Sequence, residues 1–212
     1  METTEAPLEL TEDLYLGAGN HKIVYVDPRD RGRCIKLLHH APDPDMEREF
    51  SYRRSLGSRA DSMTLLTRYY GKVQTSRGEG YVFERVLDHD GTPSRTMLEL
   101  LDEIALQPER VLEAQRMLMR FKRDFFSEEF LAAGMDPDNF LVQWVSPTES
   151  RVRIIDNIGC SASIPLAYHI RWVRKQRVKK YWRRFVEEEM RGHYGALLGE
   201  RILEELGREE SL

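Results

Sequence analysis

The chain has 212 residues, a formal net charge of -4 and 9% aromatic residues, with Lys and Arg (32) nearly balancing Asp and Glu (36). That length suits one substantial core or two small lobes sharing a cleft, and the charge balance argues against a nucleic-acid wrapper. No apolar run approaches the roughly 20 residues of a membrane span and no charged-then-apolar leader opens at Met1, so a cytoplasmic protein is expected.

From the N-terminus, short runs rich in β-branched and aromatic residues predict strands at Leu8 to Leu16, Lys22 to Val26, Arg33 to Leu38, Tyr69 to Gln74 and Tyr81 to Val86. One helix interrupts them, from about Asp45 to Leu56, with Pro42 and Pro44 ahead of it and Gly57 closing it. The turn-rich segment Asp88 to Pro93 then divides a sheet unit, 1–87, from a mainly helical unit, 88–212. Pro108 stands where a first helical residue would, and Val111, Ala114, Leu118, Phe121 and Phe125 recur as one apolar stripe. A loop with Gly134 and Pro137, two short strands around Leu141 and Ile154, and helices from about Ala167 to the end complete the chain. Cys34 and Cys160 lack metal-site spacing and read as buried small hydrophobes.

Three places carry residues suited to chemistry. Gly17 and Gly19 lie in a turn between two strands, where backbone lacking Cβ can approach a phosphate; the same pattern also serves an ordinary hairpin. Lys36 stands among apolar neighbours in its strand, so its ammonium needs an anionic partner unless it snorkels to water. On the following helix Glu49 shares the arc of Met46, Phe50 and Leu56, which makes it the inward-facing acid and the candidate partner of Lys36. Asn139 precedes one apolar strand and Asp156 ends another, so the two together would form a magnesium site, although each alone reads equally as a turn cap.

The ordered set of glycine turn, strand lysine, helix glutamate, connector, long helix, Pro-x-Asn loop and Asp-x-x-Gly resembles the protein-kinase signature. More closely, the chain looks like the YrbL family of bacterial proteins, named for the PhoP regulatory network. Four stretches carry this likeness: Leu16 to Tyr25, Arg33 to Leu38, Glu49 to Leu56, and Asp156-Asn157-Ile158-Gly159 running on to Ile164-Pro165-Leu166-Ala167. The resemblance implies an α+β, two-lobed protein-kinase-like fold, with a small antiparallel β-sheet lobe holding one helix and a reduced, mostly helical second lobe. It also implies ATP and Mg2+ as ligands. Gly17 and Gly19 would then cradle phosphates, Lys36 would contact them and pair with Glu49, the backbone of Glu84 to Val86 would meet adenine, and Asn139 and Asp156 would hold the metal.

Two positions depart from that pattern. The third glycine of the loop falls at Lys22, and the aspartate that stands five residues before the magnesium-binding asparagine falls at Gly134. Asp136, two positions on, is the conjectural base in its stead. The expected activity is transfer of a phosphoryl group to a small molecule or envelope sugar, with a catalytically impaired pseudokinase as the alternative. From Arg171 to Arg184 eight positions are Lys or Arg, while Val178, Tyr181, Trp182 and Phe185 repeat as a stripe. That segment reads as a core-facing helix with a basic outer face, or as a docking surface for an anionic partner, nucleic acid being the less expected one.

Overall fold

The computed structural model describes residues 6–161 and 165–208. Ile164 of the family stretch and the last four residues of the chain lie outside them.

Nine to thirteen residues into the chain, the expected first strand is replaced by something shorter. Leu8 makes only a single bridge to Thr75, a 3-10 turn covers Glu12–Leu14, and β1 is confined to Tyr15–Ala18. Leu10 and Leu14 are both buried against the sheet. Residues four apart share a face in either conformation, and here the 3-10 turn at Glu12–Leu14 seats Leu14 on the sheet and delays the strand to Tyr15.

β2 (Lys22–Asp27), β3 (Asp30–Leu38), β4 (Tyr69–Thr75) and β5 (Gly78–Glu84) join β1 in an antiparallel sheet of order β1-β2-β3-β5-β4. Alternation along β3 sends Ile35 and Leu37 into the core with Leu10, Tyr25 and Val82, and leaves Cys34 and Lys36 on the opposite face. α1 (Pro44–Leu56) packs over that second face through Met46 and Phe50, with Asp43 capping its start by accepting the Met46 amide at 2.9 Å.

α2 (Met97–Ala105) was not expected, yet Thr96 and Glu99 form a reciprocal capping box and Met97, Leu100, Leu101 and Ile104 bury one face. α3 (Val111–Ser127) carries the expected stripe inward: Ala114, Leu118, Phe121 and Phe125 are fully buried. β6 (Arg95–Thr96), β7 (Phe140–Ser146) and β8 (Glu149–Ile154) make a second small antiparallel sheet. The chain ends in α4 (Leu166–His169), α5 (Arg171–Arg184), a wider π-type stretch over Phe185–Arg191, and α6 (Gly192–Gly207). The fold is therefore mixed α+β, with two antiparallel sheets and a helical core built on α3. The two regions meet where the Ile154 amide donates to the Leu65 carbonyl at 2.8 Å, which ties the segment leading to β4 onto the end of β8.

Gly159, in the left-handed region at φ 101°, closes the turn after β8. A Cβ there would lie 2.7 Å from the Tyr168 hydroxyl and 3.2 Å from the Arg48 carbonyl, so this turn and α1 touch through bare backbone.

Candidate nucleotide cleft

A cavity of about 300 Å3 separates the five-stranded sheet from the β7–β8 hairpin. Its upper wall is Leu16 and Gly17 of β1, Val24 of β2, and Cys34 and Lys36 of β3. Phe83 to Val86 form its back, and Leu141 and Ile155 its floor. The sheet's alternation explains the upper wall, since Val24 and Lys36 are cross-strand partners on one face. Larger hollows of about 590 and 790 Å3 lie beside α3 and α1, but neither is lined by a predicted site residue.

The back wall offers backbone to a ligand. The Val86 carbonyl accepts the Ser94 amide at 3.2 Å, whereas the Val86 amide has no acceptor among the described residues although the residue is buried. A buried unpaired N–H is uncommon and costs free energy, so it suits a site completed by a ligand. The Glu84 carbonyl receives only the long contact from the Cys34 thiol, at 3.8 Å, among the side chains. The Glu84 carboxylate is turned to structural work, accepting the Arg68 amide and pairing with the buried guanidinium of Arg153 on β8.

Lys36 is buried and enters the cleft, but it does not touch Glu49. Its Nζ donates to the Ile155 carbonyl at 2.7 Å and lies 4.4 Å from the centre of the Phe83 ring. Glu49, also buried, accepts instead from Arg53 one helical turn on, at 2.8 Å from Nε and 2.6 Å from Nη2. The expected direct Lys36–Glu49 pair is replaced because a guanidinium fork at i+4 satisfies one carboxylate oxygen with two bonds. Burial pushes the Lys36 ammonium below its ordinary range; Glu49 opposes that shift and neighbouring Lys22 adds to it.

Gly17 borders the cavity, and Gly19 donates its amide to the Lys22 carbonyl at 2.9 Å. A Cβ at either glycine would meet nothing within 4 Å, so internal packing does not require glycine at these places.

Asn139 and Asp156 are brought side by side: the Asn139 carbonyl accepts the amide of Ile155, the residue before Asp156, at 3.0 Å. The Asp156 carboxylate is not free. Lys22 Nζ donates to its Oδ1 at 2.6 Å, and the Asn157 amide donates to the same oxygen at 2.8 Å. Burial works to raise this carboxyl, but Lys22 and Lys36 outweigh it and hold Asp156 below the usual carboxylate range. Magnesium prefers a complete shell of oxygen donors. With Lys22 where it lies, Asn139 and Asp156 do not fit that requirement. No group of three or more His, Cys, Asp or Glu side chains suited to a metal occurs among the described residues.

Gly134 and Asp136 adjoin this corner. A Cβ built on Gly134 would stand 3.0 Å from Asp136 Oδ2 and 2.9 Å from Asn157 Nδ2. The Asp136 carboxylate thus fills the space a side chain at position 134 would enter.

The basic segment has a dual character. Val178, Tyr181, Trp182 and Phe185 are buried, as the stripe predicts. Two of its arginines face inward charge: Arg171 and Arg174 each donate through Nε, at 2.8 Å, to the buried carboxylate of Glu129, whose own backbone is left-handed at φ 49°. Sequence reasoning missed Glu129, since its partners lie more than 40 positions away. Burial tends to raise the Glu129 carboxyl, yet the two arginines hold it below its ordinary value. A folded-state pKa below the unfolded one gives stability that is present at neutral pH and lost as pH falls through the folded value. Glu129→Gln should therefore cost about 1–3 kcal/mol at pH 7, and the difference from wild type should shrink below about pH 4. Urea denaturation at both pH values checks this; a cost independent of pH would show that charge on Glu129 is not what matters.

No helix among the described residues is long and apolar enough to cross a membrane. The family model for the PhoP regulatory network protein YrbL matches residues 8–190. The chain is also 32% identical, over 184 residues, to the "Uncharacterized protein YrbL" of Escherichia coli strain K12, an alignment covering 85% of this chain and 87% of that relative. The Shigella flexneri protein of the same description matches with the same identity and coverage. With the family match spanning the sheet, the cleft and the basic helix, this chain belongs to the YrbL family of PhoP regulatory network proteins.

Proposed function

We propose that the chain is a nucleotide-binding protein of protein-kinase-like, two-lobed architecture, with 1–87 as the sheet lobe and 88–212 as the helical one. ATP or ADP is the ligand of the 300 Å3 cleft. The observation that carries this reading is the Val86 amide, which has no acceptor among the described residues, at the back of a mainly apolar cavity that Lys36 also lines. A planar base would insert between Val24 and Leu141 and accept that N–H, while its phosphates extend towards Lys36 and Lys22. If the bound nucleotide is a donor, its acceptor is a small hydroxyl compound or an envelope sugar.

A second reading, a pseudokinase acting through a partner, is favoured by Gly134 at the base position and by the ion pair on Asp156. The first reading requires nucleotide in the cleft, whereas a pseudokinase keeps either the nucleotide or only the shape that would hold it. Calorimetric titration of ATP into wild type and Lys36→Met tests that requirement. The substitution keeps the stem and removes the charge, so affinity should fall about tenfold or more. Stability of the unliganded protein should stay within about 1 kcal/mol, since removing a desolvated ammonium offsets the lost bond to Ile155. ATP affinity equal in the two proteins would remove Lys36 from the site.

A further inference from the structure

Lys22 sits at the first position of β2, two residues before Val24 and so on the same face of the sheet, the one that lines the cleft. It is only 7% exposed. A long cationic side chain is seldom buried to that extent without a partner, and here the partner is Asp156 at 2.6 Å. Lys36, bonded to the carbonyl of the preceding residue, also acts on the same carboxylate. The corner therefore holds two ammonium groups near one carboxylate, with Glu49 bonded to Arg53 rather than to either lysine. A divalent cation at Asp156 would stand beside the Lys22 ammonium and be repelled by it. A polyphosphate arriving from the cavity would instead meet two fixed cations.

We infer that Lys22 is the built-in counter-cation of this cleft, in the place a divalent metal would take on Asp156, so that nucleotide phosphates are bound without metal. The inference rests on the nucleotide reading above and makes it more specific. Asp156 is then a positioning residue that holds Lys22 in the cleft, and its own negative charge works against phosphate binding. That assignment has the opposite sign from a metal-carrying aspartate.

The test is titration of ATP in excess EDTA and in millimolar magnesium into wild type, Lys22→Met, Lys22→Arg and Asp156→Asn, each checked for folding by circular dichroism. Wild type should bind in EDTA with an affinity within about threefold of that in magnesium. Lys22→Met should lose about tenfold or more in EDTA, and Lys22→Arg should restore most of it. Asp156→Asn, which removes the carboxylate's charge, should bind ATP in EDTA a fewfold more tightly than wild type. Wild-type binding that appears only with magnesium, or its loss in Asp156→Asn, would overturn the inference while leaving the nucleotide cleft standing. No ATP binding by any of the four proteins in either buffer would overturn both.

Discussion

Phe121→Ala should lower the stability of the protein by about 3–5 kcal/mol, the largest effect expected of any single truncation in the core. Its ring is fully buried on α3 and lies 5.1–5.8 Å, centre to centre, from those of Phe125, Phe140, Trp182 and Phe185, mostly edge to face. Phe125 comes from α3 itself, Phe140 from β7, Trp182 from the end of α5 and Phe185 from the start of the π-type stretch, so one ring joins the long helix, the second sheet and the C-terminal helices. Truncation removes buried area, leaves a cavity between three elements that cannot all collapse into it, and breaks four aromatic contacts at once. Against a total stability of about 5–15 kcal/mol, a third or more would be gone. Leu112, one residue into the same helix and 56% exposed, is the control, and alanine there should cost less than about 0.5 kcal/mol. Equal denaturation midpoints for the two variants would mean that the C-terminal helices do not dock on α3.

Periodicity made α3 legible because its apolar stripe is long and faces a deep core. It made β2, β3, β4 and β5 legible because each is bounded by a turn residue and carries Val, Ile, Tyr or Phe. The first strand failed for a different reason: Leu8, Leu10 and Leu14 satisfy either an extended or a wound reading, and only packing on the sheet chooses between them. α2 is a case where the signal stood in the sequence, Thr96 and Glu99 three apart at the start of an apolar run, directly after a turn-rich segment.

The site was legible as a set of chemically pregnant residues and much less so as a set of partnerships. Apolar neighbours mark Lys36 as a cation in need of a partner and wheel geometry turns Glu49 inward, and both side chains are buried. What neither can supply is which cation reaches which anion. Arg53 at i+4 outcompetes Lys36 for Glu49, and Lys22, visible only as a departure from a glycine pattern, claims Asp156 across 134 positions of sequence. Long-range pairing of flexible side chains depends on distances of a few ångström that no periodicity encodes.

The second large effect is expected at Asp136. If the cleft transfers phosphate, Asp136→Asn should slow ADP formation with acceptor by about 100- to 10,000-fold, the range for losing a positioned general base, and leave ATP affinity nearly as it was. Asp136 Oδ2 lies 3.0 Å from where a Cβ on Gly134 would stand, so the carboxylate reaches into the volume a side chain at the missing position would occupy. Asn157 Nδ2 faces the same oxygen at 3.4 Å and can orient it, and the Asn139 amide donates to the Asp136 carbonyl at 3.0 Å, fixing the loop beneath. Glu189, on the turn after α5, feels that charge: burial first, and then Asp136, raise its carboxyl above the ordinary range. Gly134→Asp should not increase the rate, since a side chain there would be forced against Asp136 Oδ2 and Asn157 Nδ2, within about 3 Å of its Cβ. A rate in Asp136→Asn equal to wild type, with both above the protein-free background, would place the base elsewhere. ADP formation at background level in wild type, with nucleotide bound, would leave Asp136 as part of a binding module, and the loop from Gly134 to Asn139 would then be read as a surface shaped by nucleotide for a partner rather than as a catalytic one.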